Sequence, residues 1–500
     1  MTKRLIALVL TVLMLLPAIV ACASDDAGKP ADSTPPAEGT QAPVSTAPTA
    51  TEPDYKPQLP EVRYDGEQLV IVHRSPDETY YAEIYIQAED ITGDVLNDSV
   101  YRRNLAVEEK YGVDIVSVIE ASPHSAISIS AQAQSDEYDV ALPKMKSISS
   151  LITSGYLYNF HNLDYVDFSK PYWDSNFDQD ITLYGKLYAM VSDISLMTLI
   201  GTRGIIFNRD LAKENNLEDP YDLVKNNQWT LDKMIEMSLA VSADLDGNQT
   251  FDDLDQYGLL SEASNFRYMV IASGVDIFTR DADGNPVVGF MSEKAISVIE
   301  KLRGIYNDET HAIAYESLKN TAGAAALDGA YWNYGRKIFA NGQILFVQNG
   351  ASIINQITNF DMAEEYGIIP NPKYDSAQSR YYHAPDEETT VLVIPSSNND
   401  YDRLGILLED MAYYSSQTIL PSYYETVMKV RRAPVPEVAE MMDIIKNSIS
   451  YNLGLVYSVD AYSVINQAST SGNIASVFRT GEKRINALIK KVGDAIKELP

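Results

Sequence analysis

The sharpest chemical signal in the sequence is a run of oxygen-bearing side chains between Asp244 and Asp255. Asp244, Asp246 and Asn248 stand at the first, third and fifth positions of a twelve-residue loop. Asp252 stands at the ninth and Asp255 at the twelfth, and Thr250 can offer its carbonyl at the seventh. This is nearly the spacing of an EF-hand, whose ligands suit a hard cation such as calcium. Two positions depart from it. Gln249 takes the sixth place, where a glycine usually makes the sharp turn, and Asp255 is shorter than the chelating glutamate of the twelfth. Asp244, Asp246, Asn248, Thr250 and Asp255 are the candidate metal ligands, and a calcium ion there would be structural, with no coordination position left open beside a base. The competing reading is an acidic surface turn leading into Gln256, Tyr257 and Gly258. Asp281 to Pro286 looks similar, but its spacing fits a plain hairpin turn.

The usual catalytic patterns are missing. The sequence has no Gly-x-Ser-x-Gly elbow and no Gly-x-x-x-x-Gly-Lys phosphate loop. Its five histidines, His73, His124, His161, His311 and His383, are too scattered to suggest a zinc site. Asp386, Glu387 and Glu388 supply neighbouring carboxylates, as a glycosidase needs, yet adjacent residues on a strand point to opposite faces and cannot share one sugar. The chain is read as a binding protein and not as an enzyme.

What positions these residues begins with where the chain works. Lys3 and Arg4, an apolar run from Leu5, and Ile19-Val-Ala-Cys22 have the layout of a secretion signal, too short for a permanent membrane span. The last four residues resemble the bacterial lipobox, which implies cleavage after residue 21 and lipidation of Cys22. Cys22 is the one cysteine in the sequence, so the folded part has no disulfide to rely on. Residues 22–60 are rich in Pro, Ser, Thr and Ala and cannot bury a core; as a coil this tether reaches roughly 35 Å, and stretched at most about 120 Å. No later stretch is long and apolar enough to cross a membrane. Acidic residues outnumber basic ones by 70 to 39, and the formal charge of −31 opposes nucleic acid and anionic surfaces as partners. The 33 tyrosines supply flat faces with polar edges, suited to packing and to sugars.

Gln68 to His73 reads as a buried strand. A helix capped by Asn97 or Asp98 leads to Lys110-Tyr-Gly112, then come a strand over 113–119, a helix near 125–134 and a strand over 138–142. Strand, helix, strand, helix, strand predicts a parallel sheet, and such sheets place ligands at the carboxyl ends of their strands.

Beyond residue 180 the sequence becomes specific. Tyr184-Gly-Lys-Leu-Tyr-Ala189, Ile205-Ile-Phe-Asn-Arg-Asp-Leu211, Trp229-Thr-Leu-Asp232, Phe339-Ala-Asn-Gly-Gln-Ile-Leu-Phe346, Tyr366-Gly-Ile-Ile-Pro-Asn-Pro-Lys373, Thr390-Val-Leu-Val-Ile-Pro395 and Leu420-Pro-Ser-Tyr-Tyr-Glu425 come in an order that resembles the family 1 extracellular solute-binding proteins. The resemblance spans about residues 64 to 480. It implies an α/β, two-lobed periplasmic-binding-protein-like fold of type II, each lobe a mainly parallel sheet flanked by helices, with the ligand cleft between the lobes. Lobe 1 would be 61–194 and 360–412, lobe 2 would be 200–352 and 413–500, and residues 195–199, 353–359 and 411–415 would be hinges. It further implies a monomeric capture component of an ATP-driven importer, with a carbohydrate, specifically an oligosaccharide, as ligand and permease subunits as partners, lipid-anchored outside the cytoplasm. The alternatives are a surface glycan-binding sensor or adhesion lipoprotein, or a secreted glycan-degrading enzyme.

A cleft must orient hydroxyls with hydrogen bonds and cover sugar faces with rings. Asp193 at the first crossing, Arg203 just after it, Asn349 after the Leu345-Phe-Val strand, and Glu388 before the Thr390 strand are the polar candidates. Trp332, after the small-residue stretch 322–330, and Tyr424, which the resemblance sets near the third crossover, are the aromatic ones. Trp173 and Trp229 are read as packing residues, as is an ion pair for Arg203. Lys429, Arg431 and Arg432 form a rare basic cluster that suits a solvated loop or an anionic ligand group, and a uronate-rich glycan or a peptide stays open as ligand.

Overall fold

A computed structural model describes residues 55–74, 85–350, 365–429, 435–457 and 460–500. The leader, Cys22, most of the tether, the crossing at 353–359, and Arg431 with Arg432 lie outside the described residues, as does the side chain of Lys429.

The first sheet is made by β1 (Gln68–His73), β2 (Asp114–Ile119) and β3 (Val140–Ala141), in the order β2-β1-β3 and parallel throughout. Leu69, Ile71 and Val72 of β1 are buried, as the central strand of a covered parallel sheet requires. The helix Val95–Tyr111 is capped by Asp94, whose Oδ1 accepts from Leu96 N and Asn97 N. The cap thus lies earlier than Asn97 or Asp98, because Asp98 is inside the first turn, where its carboxylate accepts from Thr92 N and Gly93 N. The helix stops at Gly112 (φ 71°), a left-handed conformation that suits glycine. The long helix Tyr401–Lys429 packs along Val95–Tyr111, and the extended segment 390–393 runs antiparallel to the end of β3, with Ala141 opposite Val393 and Lys144 opposite Thr390.

The other strands are β4 (Arg203–Asn208), β5 (Tyr257–Ser261), β6 (Phe278–Arg280), β7 (Pro286–Val288), β8 (Ala312–Ala314), β9 (Ile344–Gly350) and β10 (Tyr366–Ile369). β6 and β7 form the hairpin read around Asp281, which accepts from Asp283 N and Asn285 N. The rest form the second sheet, β10-β4-β9-β5-β8. It is mixed, not mainly parallel: β4 is antiparallel to β9 and β10, while β5 is parallel to β8 and β9. Topology explains the mixture. Arg203, where the chain enters β4, lies opposite Gly350, where it leaves β9, so entry and exit share one end of the sheet.

Two expectations about the division of the chain need correcting. β10 falls within 360–412, assigned to the first lobe, but pairs with β4 of the second sheet. Residues 411–415, expected as a hinge, lie inside the helix Tyr401–Lys429, whose backbone hydrogen bonds leave no room for large dihedral changes. The chain passes back toward the first sheet at 385–390 instead, where Pro385 bridges to Thr202 and Thr390 to Lys144.

Trp173 and Trp229 are both core residues. Trp173 Nε1 donates to Glu409 (2.7 Å), and Trp229 Nε1 donates to Pro370 O (2.8 Å), each satisfying the one polar atom of a buried indole. Among the described residues no helix is long and apolar enough to cross a membrane.

Candidate functional site

Where the two sheets meet, strand ends deliver charge to one place. Arg203 opens β4 and Asn349 stands near the end of β9, and the antiparallel register sets Asn349 opposite Gly204. Arg203 Nη1 donates to Asn349 Oδ1 at 3.1 Å. Its Nη2 pairs with Asp386 (2.5 Å) and Glu262 (3.3 Å), and the guanidinium lies 5.3 Å from the centre of the Tyr268 ring. Glu262 comes directly after β5. Asp386 is held by its backbone, its N–H donating to Gly201 O (3.1 Å) at the first crossing.

The next two residues take different partners. Glu387 pairs with Arg267 (3.5 Å) of the helix Asn265–Ala272, whose guanidinium lies 5.0 Å from the Tyr268 ring centre and 4.8 Å from that of Tyr462. Glu388 Oε2 receives Lys144 Nζ at 2.6 Å, and its Oε1 receives Lys146 Nζ. Lys146 N also donates to Glu387 O (3.1 Å), so the segment after β3 lies along the acidic triplet. The three neighbouring carboxylates therefore address three separate groups of bases, splayed by a turn in which Thr389 N donates to Asp386 O (3.0 Å).

Burial raises the Glu262 carboxyl above the usual carboxylate range, and Arg203 only partly pulls it back. Burial likewise raises Glu387, despite Arg267. For Asp386 burial is outweighed by Arg203, and for Glu388 by Lys144 and Lys146, so both stay below the ordinary range. The site thus holds two carboxylates kept low by their bases and two carboxyls raised by burial.

The remaining predicted residues do not join this cluster. Asp193, buried and raised for that reason, bonds Lys446 Nζ at 3.2 Å. It lines a cavity of about 310 Å³ together with Tyr172, Asp174, Thr198, Lys446 and Tyr451. Tyr424 lies near it, its hydroxyl raised first by burial and then by the charges of Asp443 and Asp193. Trp332 is half-buried on the helix Tyr331–Ala340, its ring 4.5 Å from Tyr315 and 5.0 Å from Tyr331. In the acidic loop, one carboxylate oxygen each of Asp244, Asp246 and Asp255 lie within 4.8 Å of one another. Gln249 makes the turn expected of a glycine, at φ 66°, with its N–H donating to Asp244 Oδ2 (2.7 Å). Asn248 Oδ1 is engaged by Thr250 N (2.6 Å).

Sequence reasoning missed Lys144, Lys146, Glu262 and Arg267. A signal existed for three of them: Lys144 and Lys146 stand two apart just beyond β3, and Glu262 just beyond β5, the strand ends where ligands bind in open α/β sheets. Arg267 sits in a helix with nothing local to mark it.

Comparison with curated proteins gives no match. Among solved structures, a cyclic α-maltosyl-1,6-maltose-binding protein from Arthrobacter globiformis is 12% identical, covering 85% of this chain and 99% of its own, at a TM-score of 0.56. An ABC substrate-binding protein from Listeria monocytogenes in complex with cycloalternan is 11% identical over 85% and 100%, at 0.53. A cyclo/maltodextrin-binding protein complexed with maltotetraose is 19% identical over 86% and 97%, at 0.51. At these identities the likeness is one of fold, the two-lobed α/β fold of binding proteins. The sequence profile described as bacterial extracellular solute-binding protein matches residues 106–400, more than half of the chain, and the chain belongs to that family.

Proposed function

We propose that this chain is the substrate-binding lipoprotein of an ABC importer, which captures an extracellular oligosaccharide between its lobes and delivers it to the permease. The observation that carries the reading is the convergence of Arg203, Asn349, Glu262 and Asp386, from the ends of β4, β9 and β5 and from the returning crossing, opposite Lys144 and Lys146 of the first sheet. Such paired donors and acceptors suit vicinal hydroxyls, and Tyr268 and Tyr462 stand beside them. The neighbours named for maltotetraose, cycloalternan and a cyclic maltosyl-maltose support the ligand class. The work is capture and closure: ligand binds one lobe, the crossings at 195–202 and 385–390 bend, and the second lobe removes water from it. The family places the protein outside the cytoplasm. Cys22, carrying lipid such as palmitate, would hold a monomer at the membrane, and the Asp244–Asp255 loop would hold a structural calcium ion.

The first test is thermal shift and calorimetry of the leaderless chain against neutral oligosaccharides, acidic oligosaccharides and short peptides. At a hundredfold excess over Kd a ligand adds about 2.7 kcal/mol of stability. Binding of a neutral oligosaccharide without turnover supports the reading; release of shorter sugars replaces it with the enzyme. Stimulation of permease ATPase by the loaded protein supports delivery, and its absence favours a sensor or adhesion role. Palmitate labelling that persists in Cys22→Ala would remove the anchor.

A further inference from the structure

The acidic triplet, set aside as catalytic machinery, leaves one feature to explain. Lys144, Lys146 and Glu388 are the accessible charges at the junction, with side chains 33, 34 and 32% exposed, while Arg203 and Asp386 are at 7 and 9%. Two ammonium groups meet one carboxylate, each on its own oxygen. We propose that Glu388 determines the charge class of the ligand: by occupying Lys144 and Lys146 it makes the cleft accept neutral oligosaccharides and refuse those carrying uronates. This rests on the saccharide-binding reading above.

A ligand carboxylate reaching the lysines must displace Glu388, which exchanges one anion for another and leaves the displaced one beside Glu387, also a carboxyl. Nothing is gained locally, and the −31 charge of the chain opposes the anion at longer range. A neutral sugar needs no displacement. Each lysine has three N–H donors and each carboxylate oxygen two lone pairs, so the paired groups still have bonds to give to hydroxyls.

The experiment is calorimetry of maltotetraose and trigalacturonate binding to the wild-type chain, Glu388→Gln and Glu388→Ser, with the melting temperature of each variant as a check on folding. The expected result is no trigalacturonate binding by the wild type and a gain of at least roughly tenfold in both variants. That gain should fade between about 0.05 and about 0.5 M salt and vanish when Lys144→Ala and Lys146→Ala are added. Maltotetraose binding, followed in parallel, gives the reference against which the ratio of the two affinities should shift toward trigalacturonate. Wild-type binding of trigalacturonate, or no gain in either variant, overturns the inference. A wild type that binds no saccharide overturns the saccharide reading instead, and a gain of trigalacturonate binding by the variants would still uphold the role of Glu388.

Discussion

His383 makes the fold sensitive to mild acid. The side chain is fully buried, its Nε2 accepting from Asn371 N (2.9 Å) and its Nδ1 lying 2.8 Å from Ser448 Oγ. Because Asn371 N can only donate, Nε2 is the bare nitrogen and Nδ1 carries the proton, given to Ser448 Oγ; that hydroxyl in turn donates to Ile444 O (2.5 Å). A second proton has nowhere to go, and burial pushes the imidazole down to about 3. The unfolded chain takes up that proton near pH 6.5. Below that pH the unfolded state binds more protons than the folded one, so this group's contribution falls as pH falls, over the window from about 6.5 to about 3. Each unit is worth about 1.4 kcal/mol, which makes the loss about 2 kcal/mol at pH 5 relative to neutrality. Asp180 acts the other way: burial raises its carboxyl to about 6, so acidification through that value relieves a folded-state cost. The assay is therefore a difference. Urea unfolding of the wild type and of His383→Gln, whose amide oxygen can still accept from Asn371 N, is followed from pH 7.5 to pH 5. The gap between them should narrow by about 2 kcal/mol as the wild type pays for its buried ring. Parallel curves would refute the neutral, proton-excluding imidazole.

Four further outcomes follow from contacts elsewhere. Asp386→Ala strands much of the Arg203 charge in a buried site and should cost about 3 kcal/mol in urea unfolding, moderated by Glu262; a change below about 1 kcal/mol would mean water reaches the pair. Gly258→Ala would set a Cβ 2.3 Å from the backbone of Ser238, where β5 lies against the helix Leu231–Val241, and should lower the melting temperature with a cost of about 2 kcal/mol. Gly304→Ala, with nothing within 4 Å in the helix Glu293–Tyr306, should stabilise by about 0.5–1 kcal/mol, and the same sign for both would contradict the packing. Chelator should lower the melting temperature of the wild type and not of Asp246→Asn if the acidic loop holds calcium; equal melts with no metal by mass spectrometry would end that proposal.

What could be read in the sequence followed local periodicity, and what could not depended on pairing at a distance. The first sheet was readable because Leu69 to Val72 and the helix ending at Gly112 carry their signals within a few residues. Arg203 and Asn349 were each nominated for standing at the end of a strand beside a crossing. Only the antiparallel register of β4 with β9 shows them to be one contact, 146 positions apart in the chain. Asp193, chosen by the same logic, pairs instead with Lys446, and Tyr424, nominated by the family resemblance, lies near Asp193 and Asp443. The rule identified strand ends but not which face of the junction each addresses. The acidic triplet illustrates the limit most clearly. The sequence reading treats the run as a strand, whereas residues 386–389 form a turn closed by Thr389 N on Asp386 O. That turn, at a crossing between two sheets, sends Asp386 and Glu387 to Arg203 and Arg267 and Glu388 to the lysines just beyond the first sheet, so a three-residue run ties the two together. What such a run addresses is therefore set by its turn and by the bases opposite, and only the fold supplies either.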